Sequence, residues 1–254
     1  MSDEQPFLEH LVELRSRLIK ALTSVFLMVL VLLPFSGRIY SLMAAPVMKY
    51  LPDGSGMIAT GVLSPIFTPF KMAIILGVIL AIPFVLYQLW AFVAPGLYRH
   101  EKRIARPLLV SSIILFYLGC LFAYFVIFPI LFQFLPSVAP EGVTYMPDIN
   151  SYLDTVVRLF FAFGLAFEVP IAVILLVLMG VTTPEKLAKN RPYVIVAVFT
   201  IGMLLTPPDV ISQTLLAIPM LLLFELGVFL SRALVRRKNE AAAKAGNSNN
   251  TPGV

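Results

Sequence analysis

Apolar residues run in long unbroken blocks along this chain, and polar residues gather in the gaps between them. Six blocks have helical length: about Leu18 to Phe35, Ile66 to Ala94, Pro107 to Leu135, Val156 to Val181, Tyr193 to Leu205 and Val210 to Leu230. They are apolar throughout rather than alternating, so they suit helices and not the strands of a barrel. No Asp, Glu, Lys or Arg occurs between Arg106 and Glu141. That gap exceeds the roughly 20 apolar residues a spanning helix needs. The pattern predicts an all-α polytopic membrane protein with six transmembrane helices. Before the first block, Phe7, Leu11, Leu14 and Leu18 share one helical face, while Glu9, Glu13 and Arg17 lie four apart on another. Residues 1–17 therefore read as an amphipathic segment on the membrane surface, running into the first span. Its length and pattern set the first block apart from a secretory signal peptide.

Composition agrees. A chain of 254 residues that is 59% hydrophobic and 13% charged cannot cover its apolar surface in water. The net charge of +5 would suggest nucleic acid in a soluble protein, but here the basic residues occupy the connections between blocks, where they orient the chain. With the amino terminus inside, fifteen of the nineteen Lys and Arg residues fall on the inner side; Arg38, Lys49, Lys71 and Arg158 are on or near the outer one. This bias predicts an N-in, C-in topology in an inner membrane. A transmembrane domain then covers residues 18–232, and 233–254 form a disordered cytoplasmic tail, since from Asn239 onward no apolar face exists. The outer loops, about Ser36 to Pro65 and Pro136 to Thr155, are long enough for ordered caps or short interfacial helices. The fifth block has 13 residues and covers only about 20 Å of a core about 30 Å thick, which suggests local bilayer thinning or shielding by neighbours. The single cysteine, Cys120, lies within a span and reads as a small core residue.

Candidate chemistry is sparse. Glu13 is an inner-face carboxylate that is either a solvated charge on an anchoring helix or an acidic contact for a cationic ligand. Glu101 is the one carboxylate in the basic run after Pro95-Gly96, and with Phe92 and Tyr98 nearby it either offsets its neighbours or receives a guanidinium. Glu168 lies midway along the fourth span, where a carboxylate must be protonated, paired or wetted. Pro170 frees the Ala166 carbonyl beside it. Gln213 and Glu225 are weaker cases on the sixth span. Asp209 reads as a helix cap, Thr183-Pro184-Glu185 as a helix start, and Pro46, Pro95 and Pro170 as structural positions. No phosphate-binding glycine loop, metal-ligand spacing or hydrolase elbow is present. These residues alone leave a small-solute secondary transporter as a candidate; an intramembrane enzyme finds no nucleophile or metal set.

Four motifs narrow the choice: Phe7-Leu8-Glu9-His10-Leu11-x-Glu13-Leu14-Arg15-x-Arg17-Leu18; Tyr87-Gln88-x-Trp90-x-Phe92-x-x-Pro95-Gly96-Leu97-Tyr98-x-x-Glu101; Phe163-Gly164-x-x-Phe167-Glu168-x-Pro170; and Thr206-Pro207-Pro208-Asp209-x-x-Ser212-Gln213. In this order they resemble the TatC family, over about residues 5 to 232. The resemblance implies a concave, glove-like arrangement of six tilted helices. It implies a translocase subunit, not an enzyme, that has no cofactor and binds the twin-arginine signal peptides of folded proteins. Such a subunit works with TatB and TatA, self-associates, touches membrane lipid but no nucleic acid, and uses the proton-motive force. The family's signal-recognition residues fall on Glu13, Arg15, Phe92 and Glu101, and its polar membrane-facing residues on Glu168 and Gln213.

Overall fold

Nearly every described residue is helical, as a chain in lipid requires if its backbone groups are to be satisfied within each segment. The computed structural model describes residues 4–49, 56–93, 102–137, 145–205 and 210–248. In chain order the helices are α1 (Glu4–Leu32), α2 (Ser36–Met48), α3 (Ser64–Val93), α4 (Lys102–Phe122), α5 (Phe128–Ser137), α6 (Ile149–Leu178), α7 (Pro184–Lys189), α8 (Arg191–Leu205) and α9 (Val210–Ser248). A 3-10 turn, Leu33–Phe35, joins α1 to α2, and a π turn, Ala123–Ile127, joins α4 to α5. Five helical stretches are long and apolar enough to cross a membrane: Val12–Met48, Ser64–Phe92, Arg106–Ser137, Ile149–Leu178 and Gln213–Arg237; Arg191–Met203 is a shorter apolar helix. These are the six blocks of the sequence, with the fifth short as expected.

The chain divides into two compact units, Met1–Leu165 and Ala166–Val254. In the first, α1 packs along α3, and α2 packs on α3 and α5. Phe116, Phe128 and Phe163 are fully buried there with Met72, Leu153 and Val156. Phe128 meets Phe160 with ring centroids 5.2 Å apart and Phe132 at 5.9 Å, in edge-on geometry. Small residues let backbones close up: a Cβ on Gly77 of α3 would come within 2.6 Å of Val29 Cγ2 on α1.

Prolines inside these helices leave carbonyls without their usual amide partners, and at two of them a tyrosine supplies the missing donor. Pro83 cannot donate to Ile79 O, and the Tyr117 hydroxyl donates to that oxygen at 3.3 Å. Pro46 likewise frees Leu42 O, which accepts from the Tyr124 hydroxyl at 3.2 Å. Pro129 has the same consequence at the π turn: the ladder slips by one residue, and the Phe128 amide donates to Ala123 O, five residues back.

In the second unit, α6 ends at Gly180, whose φ of 73° suits a left-handed cap, and Val181 N–H donates to Leu176 O at 3.0 Å. Thr183 caps α7 by accepting from Lys186 N–H at 3.3 Å, with Pro184 in the first turn, so the helix-start signature is borne out. Gly227 of α9 faces Pro170: a Cβ there would lie 2.8 Å from Pro170 Cα. Helix α9 continues to Ser248, past the boundary at 233 where the sequence suggests disorder. Arg, Lys, Glu and Ala are strong helix formers, and Arg236 pairs with Glu240 one turn on at 2.9 Å, which favours helix even without an apolar face.

Candidate functional site

Helix α1 is unbroken from the amphipathic segment into the first span, so the residues of both share one frame. Within it Arg17 reaches back one turn to Glu13. Its Nε lies 2.9 Å and its terminal nitrogen 2.5 Å from the same oxygen, Oε1. The pair is half-exposed, with side-chain exposures of 25% for Arg17 and 36% for Glu13. A carboxylate has about four acceptor positions. Arg17 holds Glu13 through Oε1, and among the described residues no hydrogen bond is made to Oε2, which is left to receive a further donor.

Arg17 is also part of a groove between α1 and α3. Leu14 and Leu18 form its α1 wall with Arg17, and Gln88, Leu89 and Phe92 face them from α3, around a cavity of about 130 Å³. The structure therefore brings Phe92 to the Glu13–Arg17 helix face across about eighty residues of sequence. Arg15 is exposed and not among the groove's lining residues. Glu101, Pro95 and Asp209 lie outside the described residues. Gln88, which the sequence offers only as part of a motif, lines the groove and adds an amide to an otherwise apolar wall.

The other polar candidates belong to the second unit. Glu168 sits in α6 two residues before the buried Pro170, and its Oε1 is buried. Gln213 of α9 donates through Nε2 to Phe199 O of α8 at 2.8 Å. At the start of α8, Arg191 holds both oxygens of Glu225 of α9, Nε to Oε1 at 2.6 Å and a terminal nitrogen to Oε2 at 2.7 Å. The short helix α8 is thus fastened to α9 by polar contacts at its first residue and near its middle. The Arg191–Glu225 pair escaped the sequence reading because its 34-residue separation matches no local spacing.

A second polar centre, also missed, closes the far end of the first unit. Asp148 precedes α6 and accepts four hydrogen bonds: Thr60 N–H and hydroxyl at 2.9 and 2.8 Å, Asn150 N–H at 2.9 Å and Ser151 N–H at 3.2 Å. The Thr60 donors foremost hold its carboxyl well below the usual range, at about 2. Asn150 then bridges Ser64 Oγ at 2.5 Å and the buried Thr68 hydroxyl at 2.6 Å. A signal was present: Pro147-Asp148 ahead of an apolar run is a helix-start signature.

The family described as "Sec-independent protein translocase protein (TatC)" matches residues 9–219. The chain belongs to the TatC family. A relative from Escherichia coli O6:H1, named Sec-independent protein translocase protein TatC, is 57% identical and covers 92% of this chain and 91% of its own. Another of the same name from Azotobacter chroococcum mcd 1 is 56% identical, covering 96% of each. A solved structure described as "Crystal Structure of Twin Arginine Translocase Receptor- TatC" superposes with a TM-score of 0.79 at 41% identity, over 88% of this chain and 98% of that one. The resemblance seen in four motifs is borne out, and the small-solute transporter falls away. This TatC-family chain is a multi-pass membrane protein and a component of Sec-independent protein translocation.

Proposed function

We propose that the chain is the receptor subunit of a twin-arginine translocase in the bacterial inner membrane. Both termini face the cytoplasm, and the α1–α3 groove takes the arginine pair of a signal peptide. The observation that carries this reading is Glu13: a carboxylate clamped through one oxygen by Arg17, with the other available, beside an apolar groove edged by Phe92. A guanidinium is planar and always charged, so it suits a carboxylate that is already oriented, and its stem packs well on Leu and Phe walls. Glu101 supplies a second carboxylate on the same side, and Arg15 keeps the approach selective. Glu168 and Gln213 serve contacts with TatA and TatB, which the receptor gathers for export driven by the proton-motive force.

The test is export of a folded reporter bearing a twin-arginine signal, in cells that lack this chain and are supplied with variants of it. The wild-type chain restores export. Glu13→Lys, inserted at normal level, loses most of it, and Phe92→Ala loses less because only packing goes. Wild-type export by Glu13→Lys contradicts the assignment.

A further inference from the structure

Three charged residues enter the apolar part of the first unit from the Asp148 end, and the export reading uses none of them. Lys71 is the eighth residue of α3, and Asp154 and Arg158 are the sixth and tenth of α6. At about 1.5 Å per residue they begin about 8 to 14 Å below the helix starts. All three are exposed. They line one cavity of about 340 Å³ between α3 and α6, with Ile74, Ile75 and Val157 as its apolar wall. Among the described residues no carboxylate lies within 4 Å of either cation.

Ionised side chains at this depth on a membrane protein call for a partner. Helical side chains lean toward the amino terminus, so Lys71 and Arg158 both reach back toward the Asp148 end and the membrane surface there. Two cations and one carboxylate leave a net charge of +1, the complement of a phosphodiester. Ile74 and Ile75 follow Lys71 into the span and Val157 adjoins Arg158, so the wall beside the cations is aliphatic. We infer that this groove binds an anionic phospholipid of the leaflet at the Asp148 end, with phosphatidylglycerol as the occupant. Lys71 and Arg158 hold the phosphate, Asp154 accepts from the headgroup hydroxyls, and one acyl chain lies along Ile74, Ile75 and Val157. A soluble phosphate has the charge but no use for the aliphatic wall.

The experiment is photolabelling of the purified full chain in lipid nanodiscs, with photoactivatable phosphatidylglycerol or phosphatidylcholine and mapping of the labelled segments. Wild type is labelled on α3 and α6 by phosphatidylglycerol in preference to phosphatidylcholine. Replacing both cations, Lys71→Gln with Arg158→Gln, lowers the phosphatidylglycerol signal roughly tenfold, to the phosphatidylcholine level, because two charge-assisted contacts go. The charge-conserving pair Lys71→Arg with Arg158→Lys retains the preference and shows that folding is not the cause. Equal preference in wild type and the glutamine pair overturns the site. So does loss of label to excess inorganic phosphate, or labelling of this groove only by an acidic transmembrane peptide.

Discussion

The Asp148 clasp and the Glu13 groove lie in the same unit but differ in how their polar groups are used. At the clasp one carboxylate takes four donors, and an asparagine ties two hydroxyls of α3 to the start of α6. Beside the groove one carboxylate oxygen is held by Arg17, and the groove's own walls are mostly apolar. A saturated carboxylate can fasten the fold but has nothing left to offer a ligand. One held on a single oxygen is oriented and still available. Hydrogen-bond saturation, more than the number of charges, separates the clasp from the end proposed to bind.

The largest effect on folding is expected at the clasp. Asn150→Leu removes both side-chain bonds and strands the buried Thr68 hydroxyl, which costs about 1 to 3 kcal/mol in thermal or denaturant unfolding of the detergent-solubilised chain. A loss no larger than that of an exposed surface substitution would erase the contrast between the two ends. Next comes the proline compensation: Tyr117→Phe leaves Ile79 O without its hydroxyl donor and should cost about 1 kcal/mol by the same measurement.

Acid offers a sharper discrimination. The Asp148 carboxyl is lowered from 3.8 to about 2, so the stability it contributes is complete above its unfolded value and is lost as pH falls through the folded one. The Tm of the wild-type chain should fall across that window, and Asp148→Asn should remove this part of the slope. An unchanged slope in the variant would place the acid-sensitive group elsewhere.

The smallest effect on folding belongs to the groove. Glu13→Gln breaks a half-exposed i,i+4 pair, so stability should change by about 0.5 kcal/mol or less. A larger fall would make the pair a structural element like the clasp.

Much of this was legible in the sequence. Lipid forces continuous apolar runs to be helices, so the spans follow from hydropathy, and the TatC motifs singled out Phe92, which the structure places in one groove with Arg17. The helix Ser36–Met48 falls in the outer segment for which the sequence allows an ordered cap or a short interfacial helix, but its bounds left no mark; its Pro46 gap is filled by Tyr124, 78 residues beyond Pro46 in the chain. Thr60 and Asp148 are separated by 88 residues, and Ser64 and Asn150 by 86. Periodicity reports only neighbours within a turn or two, so bonds of that kind leave no local trace. The π turn is similar, since Pro129 was visible but the ladder slip that answers it was not.

The most direct test of the groove places a photo-crosslinking residue at Leu89, in the α3 wall, and presents a twin-arginine signal peptide to membranes carrying the variant. With Glu13 intact the peptide should crosslink. Changing the peptide's arginine pair to glutamines, or introducing Glu13→Lys, should reduce the yield by roughly tenfold or more, the loss of about 1.4 kcal/mol or more from a charge-assisted contact. Equal crosslinking of all three combinations would contradict the account, because the groove would then be binding the apolar part of the peptide without reading its arginines.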